Sequence, residues 1–354
     1  MSNKVEPVES VEVSDASVQR EWKSVAATGA RELASSYVLC NTVLGLARSG
    51  IAARLSDHWT PLAELVPPGG YTELVGNLLR FAEIRGLVES RGDSWRLSPS
   101  GGALLGEVPE AVIGYYAEAY GPVLSSIEGL ATGRLRYGTD VERDTEALGR
   151  RCEVLFRSVG MNVVRELIGR YGAERVLDLG CGTGGMVLDL AREDPRLRAV
   201  GLDIAEDAVA LASKRAREEG LQDRVSFVVG DAFVPGEWPA AARECDLFIA
   251  VGAVHEHFRD GEEAVAELLR AYAELLAGKP GSVLVLAEPE LFRDAEDADF
   301  FLVHALTEQG FPQRREPWLK VIEAAGLTCR RIQSVPDTMF RFAYYEITSA
   351  AVPR

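Results

Sequence analysis

The sequence predicts an α/β fold: a doubly wound parallel sheet in the second half, finished by an antiparallel hairpin and preceded by an α-helical module. Three observations carry this. From Arg175 onward, short apolar runs at 175–179, 198–202, 225–229, 246–251 and 282–287 alternate with helical stretches, the pattern of buried parallel strands. The first run, Val176–Leu179, breaks into Gly180, Gly182 and Gly184, which let the chain turn sharply and bring bare backbone to a ligand. Finally, Leu327–Ser334 and Phe340–Thr348 read as strands joined through Pro336-Asp337 with no helix between, hence an antiparallel pair at the sheet edge.

Taken from the start, residues 1–20 are polar and acidic and are expected to form a disordered lead. Residues 21–105 read as helices with one hairpin. Leu39, Val43, Leu44 and Leu46 mark a helix face, Thr60–Leu65 a short helix, and Tyr71–Arg85 a longer one closed by Gly86. Leu87–Glu89 and Trp95–Leu97 flank the turn Arg91-Gly92-Asp93. Three helices and a β-ribbon in that order make a winged-helix-like unit. Its longer helix carries only Arg80 and Arg85 against Glu73 and Glu83, too little charge for several phosphates, so dimerisation is the expected role. Residues 106–172 form a helical linker and substrate-pocket region. Ala111–Tyr120 and Glu153–Tyr171 are its clearest helices, and Tyr115, Tyr116, Tyr120 and Tyr137 cluster there. Residues 173–354 are the ligand-binding domain.

Composition narrows the function. The 354-residue chain is 47% apolar and 26% charged, with a formal net charge of −16, which argues against nucleic acid or an anionic membrane as partner. It has neither a long apolar span nor an apolar leader, so a cytoplasmic location is expected. The five cysteines are scattered and odd in number, and read as reduced thiols, not as a disulfide framework or zinc site.

The glycine turn is set among carboxylates. Asp178 precedes it, Asp203 ends the second strand 21 residues beyond Gly182, and Asp231 follows the third strand in Gly230-Asp231-Ala232-Phe233. A carboxylate at the Asp203 position accepts ribose hydroxyls, and the Asp231–Ala232 step suits an adenine amine beside an apolar wall. Glycines 180, 182 and 185 also satisfy the G-x-G-x-x-G pattern of dinucleotide sites, but Asp178 places negative charge where a pyrophosphate is unwelcome and a cation is favoured. Residues 176–233 thus resemble the S-adenosylmethionine site of a class I methyltransferase. Asp178, Gly180, Gly182, Asp203, Asp231 and Ala232 are the expected cofactor contacts.

Past the fourth strand come His255-Glu256-His257, and the fifth strand runs into Glu288, so a carboxylate at the adjacent strand end stands ready to orient an imidazole. With the winged-helix-like module, residues 24–349 resemble the small-molecule O-methyltransferases of plant phenolic and actinobacterial antibiotic pathways, whose Rossmann-like core ends in such a hairpin. The resemblance implies a homodimer acting on a small-molecule acceptor, with His255 as general base and Glu288 as its partner. The chain departs from that pattern where His-Glu-His-Phe replaces His-Asp-Trp and where Val251 replaces a lysine. His304, on the apolar segment Phe300–Leu306, and His257 are expected to line the acceptor site. Two alternatives stay open. No metal is favoured, but His255 and His304 fall near the two metal histidines of the 2-oxo acid C-methyltransferases; or the cofactor is held by a relative that hydroxylates or decarboxylates without transferring a methyl group.

Overall fold

The computed structural model describes residues 15–334 and 341–349. Contacts divide the chain into two units, at Ile113/Gly114 instead of the expected 105/106 and 172/173. Helix Ala16–Ala27 occupies part of the segment read as a disordered lead, while residues 1–14 lie outside the described residues. Asp15 caps this helix by accepting from the Ser17 amide at 2.8 Å, which a polar, acidic composition does not announce.

The first unit holds helices Ala30–Arg48 and Thr72–Ile84, shorter helices, and a small antiparallel sheet. Its strands are β1 (Thr60–Pro61), β2 (Val88–Arg91) and β3 (Ser94–Leu97), in the order β1-β3-β2. The expected helix over Thr60–Leu65 is confined to Leu62–Leu65; Thr60 and Pro61 pair with Trp95 and Ser94 instead. Proline lacks an amide donor, and an edge strand is where that loss is tolerated. Val43, Leu46, Leu65, Leu79 and Trp95 form the unit's core.

The second unit is built on seven strands: β4 (Arg175–Leu179), β5 (Arg198–Asp203), β6 (Val225–Val229), β7 (Leu247–Val251), β8 (Val283–Pro289), β9 (Leu327–Ser334) and β10 (Phe342–Ser349). Their order is β6-β5-β4-β7-β8-β10-β9. The first five are parallel, and β10 runs antiparallel to both β8 and β9. The Pro336-Asp337 connection expected between β9 and β10 lies outside the described residues. Alternating side chains feed two cores: Leu177, Phe248 and Leu284 pack with Tyr272 and Trp318 on one face, while Val176, Ile249 and Val285 pack with Leu167 and Leu190 on the other. Burial on both faces is why these strands read as continuous apolar runs.

Helix Glu107–Gly114 carries the chain past the division. The helix expected to run on to Tyr120 opens there into a wider π-turn at Tyr115–Ala119, closed by the Tyr120 amide on the Tyr115 carbonyl at 3.3 Å. Helix Thr145–Tyr171 starts earlier than Glu153 because Asp144 caps it on the Ala147 amide at 2.8 Å. Among the described residues, no helix is long and apolar enough to cross a membrane.

Candidate active site

The chain order reverses around β4, whose neighbours are β5 and β7; a crevice at the carboxyl ends of the strands is the ligand site this topology makes. β4 delivers its loop there. Gly180, Gly182 and Gly184 have φ of +77°, +50° and +79°, conformations that side chains resist. A Cβ on Gly180 or Gly182 would meet nothing within 4 Å, so the space over that backbone is open. At Gly184 a Cβ would lie 2.5 Å from the Phe227 ring, and only glycine lets the loop rest on β6. The turn is knitted to β5: the Gly180 and Cys181 amides donate to the Leu202 carbonyl at 2.8 and 3.0 Å, and the Gly182 amide to Asp203 Oδ2 at 2.8 Å.

Asp178 is buried at 5% exposure. Desolvation, with the nearby Asp203 charge second, pushes its carboxyl up to about 7. Two carboxylates beside an open glycine turn favour a positively charged ligand. Burial also pushes the Cys181 thiol well up, next to the same two aspartates, which keeps it protonated and unreactive.

After β6, the Asp231 carboxylate accepts from the Phe233 amide at 2.8 Å. Trp238 Nε1 donates to the Asp231 carbonyl and the Tyr272 hydroxyl to the Ala232 carbonyl, each at 2.7 Å. Sequence reading missed this support, although buried Trp and Tyr normally find a partner for their polar end. It also missed Glu153. From helix Thr145–Tyr171 this carboxylate accepts from Thr183 Oγ1 at 3.1 Å, while Arg215 donates to the Thr183 carbonyl at 2.9 Å.

β7 leads into a 3₁₀ turn, Val254–Asp260, that carries two of the histidines. His255 is 4% exposed and Glu288, at the end of β8, is fully buried. Glu288 binds this turn three times: Oε1 accepts from the Val254 amide at 2.9 Å, and Oε2 faces the His255 amide at 3.4 Å and His255 Nδ1 at 2.7 Å. Facing a carboxylate, Nδ1 is the nitrogen that donates, and Nε2 is the one left for another partner. That Nε2 is buried and has no partner among the described residues.

His304, on helix Ala298–Leu306, stands with its ring 5.6 Å from that of His255. Its Nδ1 is tied to the Phe300 carbonyl at 2.8 Å. Burial lowers its basicity to about 4, so it is neutral at pH 7. His257 turns its ring onto Phe233 at 4.1 Å, which places it beside the Asp231–Phe233 turn, and burial lowers its basicity as well. No three His, Cys, Asp or Glu side chains gather into a metal cluster among the described residues.

A family model described as a methyltransferase domain matches residues 176–275, the stretch that contains the glycine turn, Asp203, Asp231 and His255. An uncharacterized protein of Escherichia coli K12, YjhP, is 31% identical over 184 residues, covering 47% of this chain and 71% of its own. The chain belongs to the class I, S-adenosylmethionine-dependent methyltransferases. Ajmaline N-methyltransferase of Rauvolfia serpentina is 34% identical over 98 residues, but the match spans only 28% of this methyltransferase and 32% of the plant enzyme. Among solved structures, the mitomycin 7-O-methyltransferase MmcR superposes with a TM-score of 0.65 over 94% of this chain and 100% of its own. At 17% sequence identity that likeness is one of fold.

Proposed function

We propose that the enzyme methylates an oxygen of a small, natural-product-like acceptor, with His255 as general base and Glu288 as its orienting partner. One observation carries this reading: Glu288 holds His255 Nδ1 at 2.7 Å while Nε2 stays buried and unpartnered. A neutral phenol is a poor nucleophile at pH 7, and an imidazole whose lone pair faces the acceptor takes up its proton as the oxygen reacts. Glu288 then steadies the imidazolium. Such a base contributes roughly 10²–10⁴-fold.

The residues around the glycine turn fit the cofactor. Gly180 and Gly182 offer open backbone, and a sulfonium or ammonium beside Asp178 and Asp203 would draw the raised Asp178 carboxyl back to its charged form. Asp203 is the partner for the ribose hydroxyls, and Asp231 with Ala232 for the adenine. Bound there, S-adenosylmethionine supplies the methyl group as an electrophilic carbon. His304 borders the acceptor from the far side of His255, and His257 walls the adenine side through Phe233.

His255→Ala should lower turnover by at least 10²-fold while leaving calorimetric affinity for S-adenosylhomocysteine unchanged. Near-normal turnover would dismiss His255 as base. The facing rings of His255 and His304 favour one second reading, metal-assisted carbon methylation of a 2-oxo acid, in which the substrate's oxygens complete the donor set. Stoichiometric metal and inhibition by a chelator would select that reading. Transfer of a labelled methyl group separates both from a relative that holds the cofactor without methylating.

We also infer that the N-terminal unit pairs two copies of the chain. Trp22, Leu33 and Tyr37 stand 67%, 73% and 73% exposed on its first two helices. Arg80, one of the two basic residues on its longer helix, is engaged by Glu83, consistent with a role other than DNA binding.

A further inference from the structure

The acceptor side of His255 contains a cation for which methyl transfer has no use. Arg143 lies just before helix Thr145–Tyr171, and its side chain is 22% exposed. Its guanidinium donates to the Tyr120 hydroxyl at 3.4 Å. Among the described residues, the carboxylate that comes within reach is Glu256, at 4.0 Å. Neither contact is tight: at 4.0 Å an ion pair lacks a hydrogen bond, and a guanidinium carries five donors in a rigid fork.

The neighbours of Arg143 place it near His255 and His304. Glu256 adjoins His255 in sequence. The low basicity of His304 comes first from burial, but the charge of Arg143 contributes to it. Cys152 is exposed, yet crowding by protein pushes its thiol up to about 11 against the opposing pull of Arg143. Since His304 is held neutral, the standing positive charge beside it is that of Arg143.

An aromatic path joins Arg143 to the reacting centre. Tyr120, its hydrogen-bond partner, packs on Tyr115 at 5.1 Å; Tyr115 faces Phe300 at 6.5 Å; Phe300 lies on His304 at 4.4 Å. His304 then faces His255 at 5.6 Å.

We propose that Arg143 anchors a carboxylate on the acceptor, so that the substrate class is an aromatic acid packed against the partly buried Phe300 ring. Its reacting oxygen is a second group, presented to His255. The proposal rests on the methyl-transfer reading for that second group. A carboxylate gives the fork two parallel charge-assisted bonds, which Glu256 at 4.0 Å does not. A neutral acceptor would cover the guanidinium without pairing it, at a cost in desolvation.

The test uses two probes of equal shape, 2-naphthoate and 2-naphthamide, titrated calorimetrically into the full-length enzyme loaded with S-adenosylhomocysteine. The wild type is expected to bind naphthoate at least about tenfold more tightly than naphthamide. Arg143→Gln should erase that preference with unchanged affinity for S-adenosylhomocysteine, and Arg143→Lys should restore part of it. Equal binding of the two probes by the wild type, no naphthoate binding, or a preference that survives Arg143→Gln would each overturn the anchor. If Arg143→Gln fails to fold, the wild-type comparison and the lysine variant decide. Failure of the wild type to bind S-adenosylhomocysteine brings down the methyl-transfer reading and this one together; normal binding without a naphthoate preference brings down only the anchor.

Discussion

Asp178 is a carboxyl group in surroundings that oppose its charge, and this has a measurable consequence without any substrate. Burial raises it from the ordinary 3.8 to about 7, with Asp203 adding to the effect. A raised folded-state value means that the native protein holds this proton more firmly than the unfolded chain does. The associated stabilisation is therefore full below 3.8 and is lost as pH rises through about 7. Asp178→Asn has no such proton to lose. Without cofactor, the melting temperature of the wild type should fall relative to that of Asp178→Asn between pH 5 and 8, by several degrees. A difference that stays constant across that range contradicts the assignment.

At the scale of elements, the His255 turn is held from two sides. Glu288 fixes it from β8, and the loop after helix Ala298–Leu306 closes over its backbone. A Cβ on Gly310 would lie 2.4 Å from the Glu256 carbonyl oxygen and 2.7 Å from that of His255. Gly310→Ala must therefore displace the turn that aims the imidazole. Misplacement by about 1 Å costs on the order of 10²-fold in rate, so turnover should fall at least tenfold with little change in S-adenosylhomocysteine affinity. Retained turnover would show that the loop yields instead. How much of this was legible depended on the element. β4 to β8 were readable because burial on both faces makes apolar runs whose ends are marked by Gly180, Asp203 and Glu288. Glu288 and His255 could be paired from sequence because adjacent parallel strands deliver their ends to one edge. Gly310 and Arg143 could not. Each acts through a contact with a segment distant in the chain, and neither leaves a local pattern. The strand at Thr60–Pro61 and the π-turn at Tyr115–Ala119 were lost for a related reason: pairing with β3 and the packing of three tyrosines override the local helical signal.

For the whole molecule, the exposed Trp22, Leu33 and Tyr37 give the proposed dimer a test. Leu33→Glu combined with Tyr37→Glu should convert a sedimenting dimer to monomer at micromolar concentration, and an unchanged dimer would place the interface elsewhere. The sheet of the second unit has its own consequence. β10 lies between β8 and β9, pairing Ala343 with Glu288, while its buried Glu346 accepts from Arg170 and Tyr171. Of the seven strands, the one that flanks Glu288 opposite β7 comes last in chain order. Until Phe342–Ser349 emerges from the ribosome, β8 is an open edge and Glu288 has backbone support from one neighbour only. The glycine turn and its carboxylates thus rest on β4, β5 and β6 alone, whereas the setting of Glu288 is complete only once β10 has paired with β8.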